Sequence, residues 1–553
     1  LFRSNDTNDN NIFMRFRKTV TLSKEDFAED IMAVAAADSR YWLYINGRLV
    51  VREGGEKRGV TKTSTYYDTL NLTDYLHEGD NLIAVQVWYW GPDEFNFSYA
   101  SSGRAGFYMQ LMTPERTIAT DESWKVYHNY AFASGGNEAN IRLPEKDICY
   151  FGYYADHWTD PGYEDSFWES ALPVSAPSEL PAGAMVPRKI PLFRDEGLKE
   201  YEDFASFRGK RIEGAGEEVA LKLPGNIQFY PYLEIEAKEA GQVIEIVTDQ
   251  YEDANGNSVK CTYVTKKGIQ SFESPGWMNG GRVIYRIPGG ITIRSLMYRE
   301  TGYAAELKGS FSSDDSFLNC LWDKAAATLL VNMRDTYMDC PNRERAEWFA
   351  DMAIEMTEAC YSLGAEADLL YRVGTDTTMG WREPDGALLA IVPSSAARNE
   401  MPLQMLMGFC SYWDFYCRTG DRDFLEEVYA PKGTEEYVLE RDLREELKQG
   451  NRSIFSRKLQ ELLADRLQKG QQSMLFLNRR GYAGFVSCRA CGQVMKCPHC
   501  DVSLSEHRDG RLMCHYCGYS ELKPKLCPVC GSKYILGFKA GTQQIVEKLK
   551  EMF

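Results

Sequence analysis

The chain has 553 residues, 44% of them hydrophobic and 26% charged, with a net charge of −17. That length exceeds what one hydrophobic core supports and predicts about three to five compact units. No apolar run approaches the ~18 residues of a membrane-spanning helix, so no membrane partner is expected.

The charge and the cysteines divide the chain at one place. Residues 434–553 hold 20 Lys+Arg against 14 Asp+Glu, a net +6, whereas residues 1–433 carry −23. The first part has seven scattered cysteines and the second has eight closely spaced ones. Scattered cysteines usually serve as small buried hydrophobes, whereas paired CxxC units are metal ligands or redox centres. The chain starts at Leu1, shows no signal segment before Phe13 and stops inside a helical pattern. Both ends therefore read as cut, and a cytoplasmic location is the expectation.

In chain order, Arg40 to Val51 places Asn46-Gly47 between two runs rich in aromatic and β-branched residues, the pattern of a type I′ hairpin. Asn81 to Trp90 reads as a further strand, and the region as a β-sandwich. Residues 112–194 carry many Pro, Trp and Tyr and read as irregular or short-stranded. From Glu218 to Tyr303 alternation returns, with strands expected at Tyr232 to Ala237 and Gly241 to Val247 in a second sandwich. After a possible N-cap at Asp314, the residues Leu318, Leu321, Trp322, Ala325 and Leu329 follow helical spacing. The chain then reads as mainly helical to about Ala430, and as charged helix from 434 to 472.

The segment from Asp339 to Asp351 reads Asp-Cys-Pro-Asn-Arg-Glu-Arg-Ala-Glu-Trp-Phe-Ala-Asp. Pro341 suits a first helical residue, which predicts a helix from there carrying Glu344, Glu347 and Asp351 along one face. Clustered carboxylates keep at least one of their number protonated near neutral pH, and such a group can serve as a general acid. The bland alternative is a solvated face balanced by Arg343 and Arg345.

This segment resembles the signature of bacterial α-L-rhamnosidases, glycoside hydrolase family 78. Gln270 to Asn279 and Tyr298 to Tyr303 are similar to the sandwich that precedes the catalytic domain of that family. The resemblance covers residues 1 to about 433 and implies β-sandwiches followed by an (α/α)6 toroid. It further implies that Glu344 is the general acid that protonates the glycosidic oxygen. Asp339, Arg343 and Asp351 would surround the rhamnose of a glycan or glycoside. The family inverts configuration, which needs a second carboxylate about 6.5 to 9.5 Å from the acid. That base lies far downstream in the toroid, and the pattern is lost near Ala430, so the expected activity is poor or absent. Glu347 stands where the family usually has Gly.

Four CxxC units follow: Cys488/Cys491, Cys497/Cys500, Cys514/Cys517 and Cys527/Cys530. Eight thiolates make two tetrahedral four-cysteine zinc sites. Thirteen residues separate the middle pairs, a ribbon-hairpin length that favours one site on Cys497, Cys500, Cys514 and Cys517. The outer site then takes Cys488, Cys491, Cys527 and Cys530. Redox CxxC chemistry is the alternative, set against four pairs in 43 residues. His499 and His515 are expected to be bystanders, and a shell closed by four thiolates is structural.

Glu445 to Ser456, Leu475 to Tyr482 and Gly541-Thr-Gln543 around these cysteines resemble the primosomal protein N-prime family of replication-restart helicases. That likeness, from about Glu440 to Phe553, implies a zinc insert of a helicase lobe that contacts DNA forks or primosome proteins. Arg479, Arg480, Arg489, Lys496, Arg508 and Arg511 would supply phosphate contacts, the alternative being solubilising charge around a small zinc fold. No GxxxxGK[ST] phosphate loop occurs, so no complete ATP-driven motor is expected.

The resulting expectation is a multidomain chain. An N-terminal sandwich with an irregular extension spans 1–194, a second sandwich 195–310 and a truncated toroid 311–433. A helicase fragment spans 434–553, with its two-zinc ribbon module at 488–530. The two resemblances meet near residues 431–440 without a Gly/Ser or Pro linker, which reads as a chimera. A carbohydrate-binding protein without catalysis is the further alternative.

Overall fold

The computed structural model describes residues 11–55, 59, 61, 64–91, 106–134, 147–152, 157–172, 184–251, 259–342, 344–383, 387–393, 401–429, 450–451, 453, 455–469, 473, 475, 486–500, 502–506, 510–537 and 542–553. The chain divides into two compact units, residues 1–434 and 435–553. No described helix is long and apolar enough to cross a membrane.

The first unit begins with two sheets, antiparallel except where Ala184–Pro187 runs parallel to Ser64–Asn71. One contains Ile12–Leu22 between Lys125–His128 and Gly79–Tyr89, continuing through Arg40–Ile45 to Arg48–Gly54. The other runs from Ala184–Pro187 through Ser64–Asn71, Met32–Asp38 and Gly106–Met112 to Thr117–Ala119. Alternation along the strands sends Met14, Phe16, Leu43 and Val85 of one sheet and Ala35, Met109 and Leu111 of the other into a shared core. This is the expected sandwich. Its hairpin turns at Asn46 and Gly47, with φ of 51° and 81°, the left-handed pair that a type I′ turn requires.

The second sheet is organised by one long strand, Glu217–Ala237, with a register shift between Lys222 and Ile227. Its first half pairs with Met278–Ile287, and its second half lies between Gly268–Glu273 and Ile291–Glu300. Tyr232 to Ala237 is therefore the end of a 21-residue strand and not a separate one. The run expected at Gly241 to Val247 forms Val243–Thr248. Side chains from both halves of the long strand, Val219 and Leu221 with Leu233 and Ile235, meet in one core.

The irregular stretch links the two layers. Phe132–Ser134 and Asp147–Phe151 extend the second sheet, the latter parallel to Lys260–Val264. Glu169–Ser170 and Ala184–Pro187 then return to the sheets of the first sandwich.

Among the described residues, five helices follow: α1 (Ser316–Val331), α2 (Phe349–Ser362), α3 (Ala365–Gly380), α4 (Pro402–Thr419) and α5 (Arg422–Tyr429). Asp315 caps α1 by accepting from the Phe317 N–H at 2.8 Å, one residue beyond the expected Asp314. Pro402 opens α4, where its missing N–H costs nothing, and Gly420 closes it at φ 70°. α2 packs on α1, α3 and α4, and α4 packs on α5. The common core includes Phe349, Met352, Met356, Leu370, Tyr371, Tyr412 and Phe415.

In the second unit, α6 (Arg457–Gln468) is capped by Ser456 and α7 (Thr542–Met552) ends the chain. Between them lies a small cysteine-rich module. It contains a three-stranded sheet of Ser505–Glu506, Arg511–Met513 and Ser520–Leu522, and a pair, Val486–Cys488 with Ile535–Gly537.

Candidate functional sites

The carboxylate segment is a closed loop followed by a helix. Asp339 donates its N–H to the Ala346 carbonyl at 2.9 Å, and its Oδ1 accepts from the Ala346 N–H at 3.0 Å. Within that bracket the Cys340 sulfur accepts from the Glu344 N–H at 3.3 Å. Arg345 has φ 54°, a left-handed conformation that no helix contains. The helix expected from Pro341 therefore does not form. Glu347–Trp348 instead pairs with Ile391–Val392, and α2 starts at Phe349.

The reason is a long-range anchor. The Arg345 guanidinium, buried, lies 3.5 Å from the Trp277 ring centroid. It donates to the Trp277 carbonyl at 3.1 Å and to the Pro341 carbonyl at 3.0 Å. Charge–ring attraction of this kind strengthens when the pair is desolvated. Trp277 belongs to the second sheet region, so the bend is set by tertiary contacts and leaves no mark on local spacing.

A buried polar network braces the segment from behind. Arg40 of the first sandwich meets Asp335 at 2.9 Å, and Arg334 meets Glu53 at 2.6 Å. Arg334 also donates to Gln228 at 2.7 Å, and Tyr230 donates to Glu53. Burial opposes ionisation of Glu53, but Arg334 and Arg40 outweigh it and hold its carboxyl below the usual range. The first sandwich and the sheet built on Glu217–Ala237 thus grip the two residues that lead into the carboxylate loop.

Glu344 is oriented by Trp348, whose indole N–H donates to Oε2 at 2.7 Å. Asp351 sits in the first turn of α2, where a negative charge suits the helix dipole. Its Oδ2 accepts from Gln404 of α4 at 3.4 Å, while Gln404 accepts from the Ala350 N–H at 3.0 Å. Asp339 is pushed up by burial, and the charges of Glu344 and Asp351 push in the same direction. The structure thus brings Glu344 and Asp351 within electrostatic reach of Asp339. Arg343 lies outside the described residues.

Glu347 does not share this face. Fully buried, it turns to α3, where Thr378 donates to its Oε1 at 3.4 Å. A different carboxyl completes the group: Glu355, one turn beyond Asp351 on α2, is buried and raised well above its ordinary pKa. Desolvation is the first cause and the Asp351 charge the second. Its spacing from Asp351, i to i+4, was the available signal, but an acid inside a helix ordinarily reads as solvent-facing. Trp88, Trp90, Trp277 and Trp381 are all buried, and Trp348 is half-buried.

The cysteine module gathers its eight sulfurs into two groups, Cys488, Cys491, Cys527 and Cys530, and Cys497, Cys500, Cys514 and Cys517. Within each group every sulfur lies within 4.8 Å of the others, a fit for a single metal ion. Gly492, Gly518 and Gly531, with φ of 78°, 74° and 68°, close knuckles by donating to the Cys488, Cys514 and Cys527 carbonyls. Burial disfavours the Cys488 thiolate, but the N–H groups of Cys491 and Ala490 and its neighbouring thiols bring it down to about 7. The N–H of Cys517 is the main cause that lowers Cys514, also to about 7. Each group therefore contains a thiol readily deprotonated for metal binding. His499 packs edge-on against Tyr519. Arg479, Arg480, Arg508 and Gly541 lie outside the described residues.

Comparison with known proteins finds two separate likenesses. Residues 306–459 match the family model of the bacterial alpha-L-rhamnosidase 6 hairpin glycosidase domain. The GH78 rhamnosidase of Bacillus sp. GL1 superposes with a TM-score of 0.63 at 15% identity, over 78% of this chain and 68% of that one. The α-L-rhamnosidase of Dictyoglumus thermophilum gives 0.63 at 18%, over 86% and 50%. The first unit has a rhamnosidase fold. Residues 497–521 match the PriA DNA helicase Cys-rich region. The replication restart protein PriA of Synechocystis sp. is 55% identical over 117 residues, 20% of this chain and 14% of that protein. The chain thus spans about a seventh of the curated relative, and it carries a rhamnosidase-like architecture and a PriA-like cysteine-rich region in succession.

Proposed function

We propose that the first unit is a glycoside-binding unit of rhamnosidase type, specific for terminal α-L-rhamnose, with Glu344 as its general acid. The observation that carries this is the Trp348 N–H held on Glu344 Oε2 at 2.7 Å, with the charges of Glu344 and Asp351 both felt at Asp339. The hydrogen bond fixes the plane of the carboxyl, so a proton delivered to a glycosidic oxygen leaves from a set direction. Asp339, Arg343 and Asp351 would hold the hydroxyl groups of the sugar. Inversion further requires a carboxylate about 6.5 to 9.5 Å from Glu344 to activate water. The resemblance assigns that base to a part of the toroid that follows the point where this chain departs from it, so catalysis is slow or absent.

Calorimetry with L-rhamnose and release of p-nitrophenol from its α-L-rhamnoside test this reading. Weak rhamnose binding that survives Glu344→Gln, with little or no p-nitrophenol release, is expected. Absence of binding would overturn the sugar site, and rapid release abolished by Glu344→Gln would overturn the impairment.

The second unit favours a separate role because its cysteine groups are built for metal. We infer that each holds one zinc through four thiolates, as a structural ion that supplies folding energy and has no position for a catalytic water. The module then presents Arg489, Lys496 and Arg511 to the phosphates of forked DNA or to primosome proteins. The expected signature is forked-DNA binding by the full chain whose affinity falls steeply with salt. Binding insensitive to salt would reject phosphate recognition.

A further inference from the structure

The two cysteine groups share an asymmetry. Each contains one exposed cysteine, Cys530 in the first and Cys517 in the second. Cys488, Cys527, Cys497 and Cys514 are buried, and Cys491 and Cys500 are half-buried. Each exposed sulfur sits beside a buried one, and in both groups the buried one belongs to a different CxxC unit. Cys530 Sγ lies 3.5 Å from Cys488 Sγ, and Cys517 Sγ lies 3.5 Å from Cys497 Sγ. In the first group Cys491 and Cys527 also approach across the units, at 3.7 Å.

An oxidant arriving from solvent therefore meets the same arrangement twice: an accessible thiolate backed by a shielded one within reach. A sulfenic acid formed on the first condenses readily with the second. Closing the gap to the ~2.05 Å of a disulfide asks for roughly 1.5 Å of sulfur movement. Neither crosslink disturbs the turns in which the Gly531 and Gly518 N–H groups donate to the Cys527 and Cys514 carbonyls, at 2.9 and 3.0 Å. A bond within one CxxC unit would have to draw both sulfurs together inside such a turn.

We propose that Cys530 and Cys517 are peroxide-reactive sites, each resolved by a disulfide to the opposite CxxC unit, Cys488–Cys530 and Cys497–Cys517. The exposed thiolate first attacks the O–O bond of hydrogen peroxide. An S–O bond forms, and the hydroxide that leaves takes up a proton to become water. The Cys488 or Cys497 thiolate then displaces the sulfenic hydroxyl, which leaves as a second water once protonated, and the S–S bond forms. The two sulfurs lose two electrons and one peroxide gains them. Each crosslink withdraws two of the four donors of its group, so a bound ion is lost with it. That loss rests on the reading of each group as a zinc site, whereas the pairing rests on the sulfur geometry alone.

Stepwise peroxide oxidation of the full chain, purified with zinc, gives the test. Zinc entering solution is read with a chromogenic chelator. Remaining thiols are alkylated, and crosslinked peptides are mapped by mass spectrometry after non-reducing digestion. Cys488–Cys530 and Cys497–Cys517 are expected as the first crosslinks, formed in step with the loss of both ions, and dithiothreitol with added zinc should reverse both changes. First crosslinks within a unit, Cys527–Cys530 or Cys514–Cys517, would overturn the proposal. So would ions retained after the peroxide is consumed, or sulfinic acids formed without any crosslink. An untreated chain that holds no zinc would reject the metal reading instead, and the crosslink map still decides the pairing.

Discussion

At the level of single residues, the carboxylate site combines groups with opposite demands. Glu355 is buried beneath Asp351, and desolvation together with that charge raises its pKa well above the ordinary value. A carboxyl that binds its proton more tightly in the folded chain contributes stability fully present below about pH 4.5, its unfolded value. As pH rises toward the folded pKa, the unfolded chain releases its proton first and that stability is lost. Glu355→Gln keeps the shape and cannot ionise. Its melting temperature relative to wild type should therefore rise between pH 5 and pH 8, and thermal denaturation at the two pH values measures it. A difference that is constant with pH would mean that Glu355 is ionised in the folded chain. Asp339 is raised as well and contributes in the same direction. The sequence announced Asp339, Glu344 and Asp351 through a recognisable motif. It concealed Glu355, because burial is a property of the helix packed around it, and it misplaced Glu347 for the same reason.

At the level of elements, legibility follows the range of the forces involved. The hairpin at Asn46-Gly47 was readable because two adjacent residues dictate it, and Gly420 likewise ends α4 by its own backbone freedom. The start of α2 was not readable. Pro341 is compatible with a helix, but the contacts of Arg345 with Trp277, 68 positions away in sequence, impose a bend that postpones the helix to Phe349. Close packing of α2 and α4 is another such property. Gly408 of α4 rests on the ring of Phe349, and a Cβ there would lie 2.2 Å from the nearest ring atom. Neither the buried ring nor the helix backbone can yield by that much without disturbing the core. Gly408→Ala should cost about 1–3 kcal/mol, the usual range for overpacking, seen as a lower midpoint in urea. An unchanged midpoint would show that the two helices can separate freely.

At the level of the whole molecule, two units with different sources of stability share one chain. The first buries extended aromatic and aliphatic cores, whereas the core of the second is small: Val486, Met495, Leu504, Leu512 and Ile535 packed among the cysteines. A core of that size does not offset the conformational entropy of ordering the module, and metal–thiolate bonding supplies the rest. The nested spacing made the two cysteine groups legible because each ligand pair is local and the ribbon between the pairs has a fixed length. The exposure of Leu318 and Leu321 on α1 was hidden, since periodicity reveals that a helix has an apolar face but not whether a neighbour covers it. Removal of metal should therefore act on one unit only. After treatment with a strong chelator at neutral pH, limited proteolysis is expected to open the region 486–537 while the sandwiches and α1–α5 remain protected. Bound metal near two per chain should be released as this happens, and zinc added back should restore protection. Protection of the cysteine module that persists after both ions are lost would mean that its apolar core suffices. Simultaneous opening of the first unit would mean that the two units do not fold independently.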